Sequence, residues 1–312
     1  MIITVTMNPA IDKTIMVDKF YAGGLNRIEN PLTDAGGKGI NVSKTIHALG
    51  GKTLATGFLG KNGSEKILAC LQEENIASDF VMVDGITRTN MKIMEKDGTL
   101  TEINEQGMWI PQEKIEELVE KLTGYANEDS LFVFAGSIPK GVDTSIYGRL
   151  TAAVREKGAK VFVDADGELL KEAIKACPDM LKPNHVELAE YFGKDIHIEE
   201  AELVELARKL IENKAELVAV SRGSKGALFV TKSQVIRCCA IDVEVHSTVG
   251  AGDAMVAALV YARQQDFTLE ETVRLAMAAS AGAVTTAGTK SPDRETIEAL
   301  KKQVRLEIGV YS

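Results

Sequence analysis

From residue 130 onward, short apolar and β-branched runs alternate with stretches of helical periodicity, and this alternation constrains the fold more than any other feature of the chain. Strands are predicted at 130–135, 160–164, 179–182 and 216–221, and helices at 112–122, 144–157, 199–213 and 293–305. Strands separated by helix-length segments pair in parallel through crossovers, which puts helices on both faces of one sheet. Ligands then gather at the carboxyl ends of the strands. The opening run Ile2-Ile3-Thr4-Val5-Thr6-Met7, stopped by Asn8-Pro9, reads as another buried strand delivering a loop with Asp12. A helix follows from the Gly36-Gly37-Lys38-Gly39 turn, and 53–59 reads as the next strand.

Two segments break the rhythm, about 13–33 and 88–107, the second carrying the turn Lys96-Asp97-Gly98. Both read as short strands that build a small separate sheet. No linker-like tract or internal repeat divides the chain, so residues 1–312 are expected to form one domain with this sheet as a lid. Residues 226–231 and 234–240 are predicted as a hairpin near the sheet edge, and Trp109, the single tryptophan, as packing between lid and core.

The strongest chemical signal is Ser247-Thr248-Val249-Gly250-Ala251-Gly252-Asp253, leading into an apolar helical run. Two glycines at a helix start expose backbone N–H groups and the positive end of the helix dipole, which bind phosphate without a cationic side chain. Asp253 in the first turn can be a plain helix-start acid. It can also be a general base beside an anion hole made by Gly250, Ala251 and Gly252, taking the proton of an attacking hydroxyl. Ala35-Gly36-Gly37-Lys38-Gly39-Ile40-Asn41, alone a helix-capping glycine turn, would present Lys38 and Asn41 where the backbone can approach a polyhydroxylated ligand with a charged end.

Charge and cysteine usage narrow the partners. The 36 Lys and Arg against 45 Asp and Glu leave a net charge of -9, so no broad basic surface for nucleic acid or anionic lipid is expected, and small anions must be met locally. The four cysteines lack CxxC spacing, and His47, His185, His197 and His246 lack metal-ligand spacing. Gly51-Lys52-Thr53 resembles the end of a phosphate-binding P-loop, but position 46 is Ile where glycine is required. With no basic leader and no apolar stretch long enough to span a bilayer, cytoplasmic residence is expected.

GGKGIN near residue 40 and STVGAGD near residue 250, together with KPNHVE at 182–187, resemble the signatures of the PfkB-type carbohydrate kinases, in order and spacing across essentially the whole chain. The resemblance is closest to the members acting on fructose 1-phosphate, through TVTMNPAID (4–12), LNR (25–27), TRTN (87–90), TEIN (101–104) and AGSIP (135–139). It implies an α/β fold, a ribokinase-like three-layer α/β/α sandwich with a small β-sheet lid. It also implies ATP and Mg²⁺, sugar phosphate as the small-molecule partner, and a homodimer through the lid sheet, since an exposed half-sheet needs cover.

Residue by residue, the resemblance gives Asp12, Gly37, Asn41 and Ser137 to sugar contacts, and Arg27, Lys38 and Arg88 to the phosphate the sugar already carries. Two or three charge-assisted donors suit a dianion. Lys182 would meet ATP phosphates, and Asn184 and Glu187 would organise Mg²⁺ largely through water. Ser221, Gly223, Ser224 and Gly226 would form a nucleotide loop, with Thr248 and Ser280 also on the nucleotide. The implied reaction is phosphorylation of D-fructose 1-phosphate at its 6-hydroxyl by ATP. Phosphorylation of tagatose 6-phosphate or fructose 6-phosphate is the alternative within the family, and a catalytically silent sugar-phosphate sensor the alternative outside it.

Overall fold

Val133 and Ala135 face one side of a buried strand while Phe132 and Phe134 face the other, so this strand needs cover on both faces. The computed structural model describes residues 1–28, 31–286, 288 and 290–310, and two positions of the expected lid, 29 and 30, lie outside the described residues. In chain order the first half comprises β1 (Ile2–Thr6), β2 (Ala10–Val17), β3 (Leu32–Gly36), α1 (Lys38–Ala48), β4 (Thr53–Asn62), α2 (Glu65–Glu73), β5 (Ala77–Ser78), β6 (Val81–Ile86), β7 (Arg88–Glu95), β8 (Leu100–Asn104), α3 (Gln112–Tyr125), β9 (Leu131–Ala135) and α4 (Ile146–Arg155). The second half comprises β10 (Lys160–Asp164), α5 (Gly167–Lys175), β11 (Met180–Leu181), α6 (His185–Tyr191), α7 (Glu200–Glu212), β12 (Leu217–Ser221), β13 (Ala227–Val230), β14 (Gln234–Cys238), α8 (Ala251–Gln264), α9 (Leu269–Val284), α10 (Arg294–Lys301) and β15 (Leu306–Val310).

The large sheet has the order β15-β14-β13-β12-β11-β10-β9-β1-β4-β5, with β6 also on β4. From β12 to β5 the pairs are parallel, whereas β13, β14 and β15 are antiparallel. One face is covered by α3, α4, α5 and α7 through Leu118, Leu150, Ala173 and Leu206. The other is covered by α1, α8, α9 and α10 through Val42, Val256, Ala276 and Ile297. This is a three-layer α/β/α sandwich of the ribokinase-like kind. The second sheet, β3-β2-β7-β8, stands apart from the first and is built from the two segments that break the βα rhythm.

Two expectations are corrected. The last helix ends at Lys301 rather than 305, because Gln303 closes a turn onto the Leu300 carbonyl and the chain leaves as a strand. That strand, β15, pairs with β14 and forms the outermost strand, with the expected β13–β14 hairpin next to it near the sheet edge. Trp109 is 67% exposed and lies over Gly141, so it does not fill a junction between lid and core.

Candidate active site

Two helices begin at the same place. Gly37 caps α1 with φ 119° and Gly250 caps α8 with φ 84°, backbone that side-chain-bearing residues adopt only with strain. Inside these starts the Asn41 side-chain amide donates to Asp253 Oδ2 at 2.8 Å. Asp253 is buried, and burial pushes its carboxyl up to about 6, further raised by Asp164 and opposed by Lys38, the Asn41 amide and Lys182. It is therefore mostly ionised at neutral pH yet more basic than an ordinary aspartate.

Asp253 lines a cavity of about 390 Å³ shared by the lid and the strand ends, with Asp12, Gly37, Lys38, Asn41, Arg88, Ser137, Lys182, Gly250 and Gly252. From the lid comes Asp12, whose Oδ2 accepts from Lys92 at 2.7 Å and whose Oδ1 accepts from Asn90 at 3.0 Å. Arg88 spends three N–H groups on the carbonyls of Asn8 and Glu105, leaving two of a guanidinium's five donors. From the end of β10 comes Asp164, fully buried between Lys182 at 3.1 Å and Lys38 at 3.4 Å. Burial works to raise the Asp164 carboxyl, but the two ammonium groups hold it below the usual carboxylate range. Asp164 in turn raises Lys38, against the opposing effect of burial, and keeps it charged.

A second cavity of about 560 Å³ lies on the other side of the α8 start, lined by Ser221, Gly223, Ser224, Gly226, Thr248, Ala251 and Ser280. Gly252 lines both cavities. The two hollows therefore meet at backbone amides that face outward from a helix N-terminus. Asn184 and Glu187 open α6 as a reciprocal capping box: Asn184 Oδ1 accepts from the Glu187 N–H at 2.9 Å and Glu187 Oε2 accepts from the Asn184 N–H at 2.8 Å. Burial raises the Glu187 carboxyl against the pull of that N–H and of Lys182.

Arg27 stands apart from these residues within the chain. It is exposed and lines a different hollow on the lid, with Ile15, Tyr21 and Lys96, because β2 ends at Val17 and the following loop runs away from the cavity. The cations that this chain itself brings to the cavity are Lys38, Arg88, Lys92 and Lys182. Sequence reasoning passed over Asp164, Asn90 and Lys92. Asp164 could have been found as an acid at the carboxyl end of a predicted parallel strand. Asn90 and Lys92 alternate with Met91 and Ile93, the pattern of a strand with one polar face.

The pfkB family of carbohydrate kinases matches residues 5–297. The chain belongs to this family. A curated 1-phosphofructokinase from Haloferax volcanii is 38% identical over 309 residues, 99% of this chain and 98% of the relative. A second, from Bacillus subtilis, is 36% identical over 307 residues, 98% of this chain and 99% of the relative. Among solved structures, phosphofructokinase-2 from Escherichia coli in complex with fructose-6-phosphate superposes with a TM-score of 0.91 at 27% identity, covering 97% of this chain and 98% of that one.

Proposed function

We propose that this kinase transfers the terminal phosphoryl group of ATP to the 6-hydroxyl of D-fructose 1-phosphate, giving fructose 1,6-bisphosphate and ADP. The observation that carries the reading is the position of Asp253 in the first turn of α8, where Gly252 lines a polar cavity on one side and a second cavity on the other. The sugar phosphate would occupy the first and the nucleotide the second, so that acceptor hydroxyl and donor phosphate meet at the helix start.

In this reading Asp253 takes the hydroxyl proton, oriented by the Asn41 amide. The N–H groups of Ala251, Gly252 and Asp253 stabilise charge on the phosphoryl group in transit. Lys38 and the two remaining donors of Arg88 hold the phosphate that the sugar already carries, Asp12 and Ser137 its hydroxyls, and Lys182 the nucleotide phosphates. Asn184 and Glu187 suit a hydrated Mg²⁺: the capping box occupies Asn184 Oδ1 and one Glu187 oxygen, which favours contact through the ion's waters over direct ligation. When bound with the nucleotide, the ion would neutralise charge on its terminal phosphates.

A homodimer is proposed through the lid, where Met16, Leu32 and Ile103 are 58%, 51% and 52% exposed. No helix among the described residues is long and apolar enough to cross a membrane, and the cytoplasm is the proposed location.

A coupled ADP-release assay with fructose 1-phosphate, tagatose 6-phosphate and fructose 6-phosphate tests the reading. Fructose 1-phosphate is expected to give the highest kcat/KM. A higher value for either 6-phosphate would overturn the substrate assignment, and sugar-phosphate binding without ADP release would favour a sensor.

A further inference from the structure

Lys92 is a lysine in the middle of a strand, with only 6% of its side chain exposed, and it lines the cavity assigned above to the sugar phosphate. A buried ammonium is costly unless paired, and its partner is Asp12, whose side chain is also 6% exposed. The pairing is built by the lid sheet. Asp12 of β2 stands in register with Asn90 of β7, and Lys92, two residues on, projects to the same face between Thr14 and Glu102. Asn90 holds one carboxylate oxygen and Lys92 the other. On the opposite side Gly36 presses so close that a Cβ there would come within 2.4 Å of Asp12 Cγ. The carboxylate is clamped on three sides.

A carboxylate has about four acceptor sites, of which the clamp takes two, so Asp12 retains capacity for sugar hydroxyls. Without the lysine it would be a buried anion with no salt-bridge partner, offset only by the electrostatic reach of Arg88, facing a cavity that must also admit a dianionic phosphate. We propose that Lys92 is a positioning residue that fixes and charge-compensates Asp12, allowing a lid acid to bind hydroxyls of a sugar that is itself an anion. The proposal rests on the sugar-phosphate kinase reading and adds to it a lid residue that keeps Asp12 placed and compensated for binding an anionic sugar.

The test is a set of four variants, K92M, K92R, D12N and the double variant D12N/K92M, assayed with the sugar phosphate that the wild type uses best. K92M is expected to raise the KM for sugar phosphate roughly 10-fold or more, with kcat within about 3-fold and the KM for ATP within about 2-fold of wild type. K92R should recover most of the sugar-phosphate KM. The double variant should be no worse than D12N alone, since the lysine acts through Asp12. An unchanged sugar-phosphate KM in folded K92M, or losses in the double variant that multiply, would overturn the role of Lys92. If K92M gives no cooperative melt, K92R and the double variant, which removes both charges, decide the matter by the same criteria. Wild-type protein that releases ADP with no sugar phosphate would sink the kinase reading and this proposal together, whereas active wild type with an indifferent Lys92 sinks only the proposal.

Discussion

Asp253 illustrates how one side chain can be tuned by burial and neighbours together. Its carboxyl sits at about 6 because burial outweighs the favourable reach of Lys38, Asn41 and Lys182. As the base it should give kcat/KM an acid limb with a midpoint near pH 6, and Asp253→Asn should lower turnover by about 10³-fold while leaving sugar-phosphate affinity measurable. The same shift bears on stability. The folded carboxyl keeps its proton up to about pH 6 and the unfolded one only to about 3.8, so in that window the folded state holds more protons and stability falls as pH rises. Asp253→Asn should therefore melt higher than wild type at pH 8, by an amount of roughly 2–3 kcal/mol, with the gap closing at pH 3.5. A variant that gains nothing at pH 8 would contradict the buried-charge account.

At the scale of elements, the site is assembled by helix starts. The first turns of α1 and α8 lie against one another, and that of α6 contributes the capping box that fixes Glu187. Gln in place of Glu187 can still accept the Asn184 N–H, so the helix start survives while the charge is lost. Glu187→Gln should raise the Mg²⁺ concentration needed for half-maximal rate several-fold more than it raises the sugar KM. Superimposable metal titrations would exclude Glu187 from that role. The elements that sequence reading misplaced lie at the end of the chain. Periodicity carried the last helix into residues that serve as the approach to β15, whose run Leu306-Glu307-Ile308-Gly309-Val310 is broken by a charge and a glycine and reads as a strand only beside its partner β14.

For the whole molecule, the proposed homodimer rests on the lid. Met16, Leu32 and Ile103 are exposed apolar residues on a four-stranded sheet separate from the core. Sedimentation equilibrium is expected to give a dimer mass for the wild type and a monomer for Met16→Glu/Ile103→Glu; an unchanged mass in the double variant would move the interface elsewhere. The separation of Arg27 from the cavity belongs to this scale as well, since its loop leaves the cavity face of its own lid.

The order of residues along the chain dictates the parallel sheet with helices on both faces, because β-branched runs spaced by helix-length segments have few other ways to bury both faces of a strand. It also dictates the two glycine turns, because free N–H groups at a helix start are a local property. That Asp164 ties Lys38 to Lys182, that Lys92 pairs with Asp12, and that Arg27 lies apart is set by the folded arrangement. Residues 12 and 92, or 38 and 164, meet through strand register and crossover packing between segments far apart in the chain. Charge compensation in a buried site depends on those distances, and no local pattern encodes them.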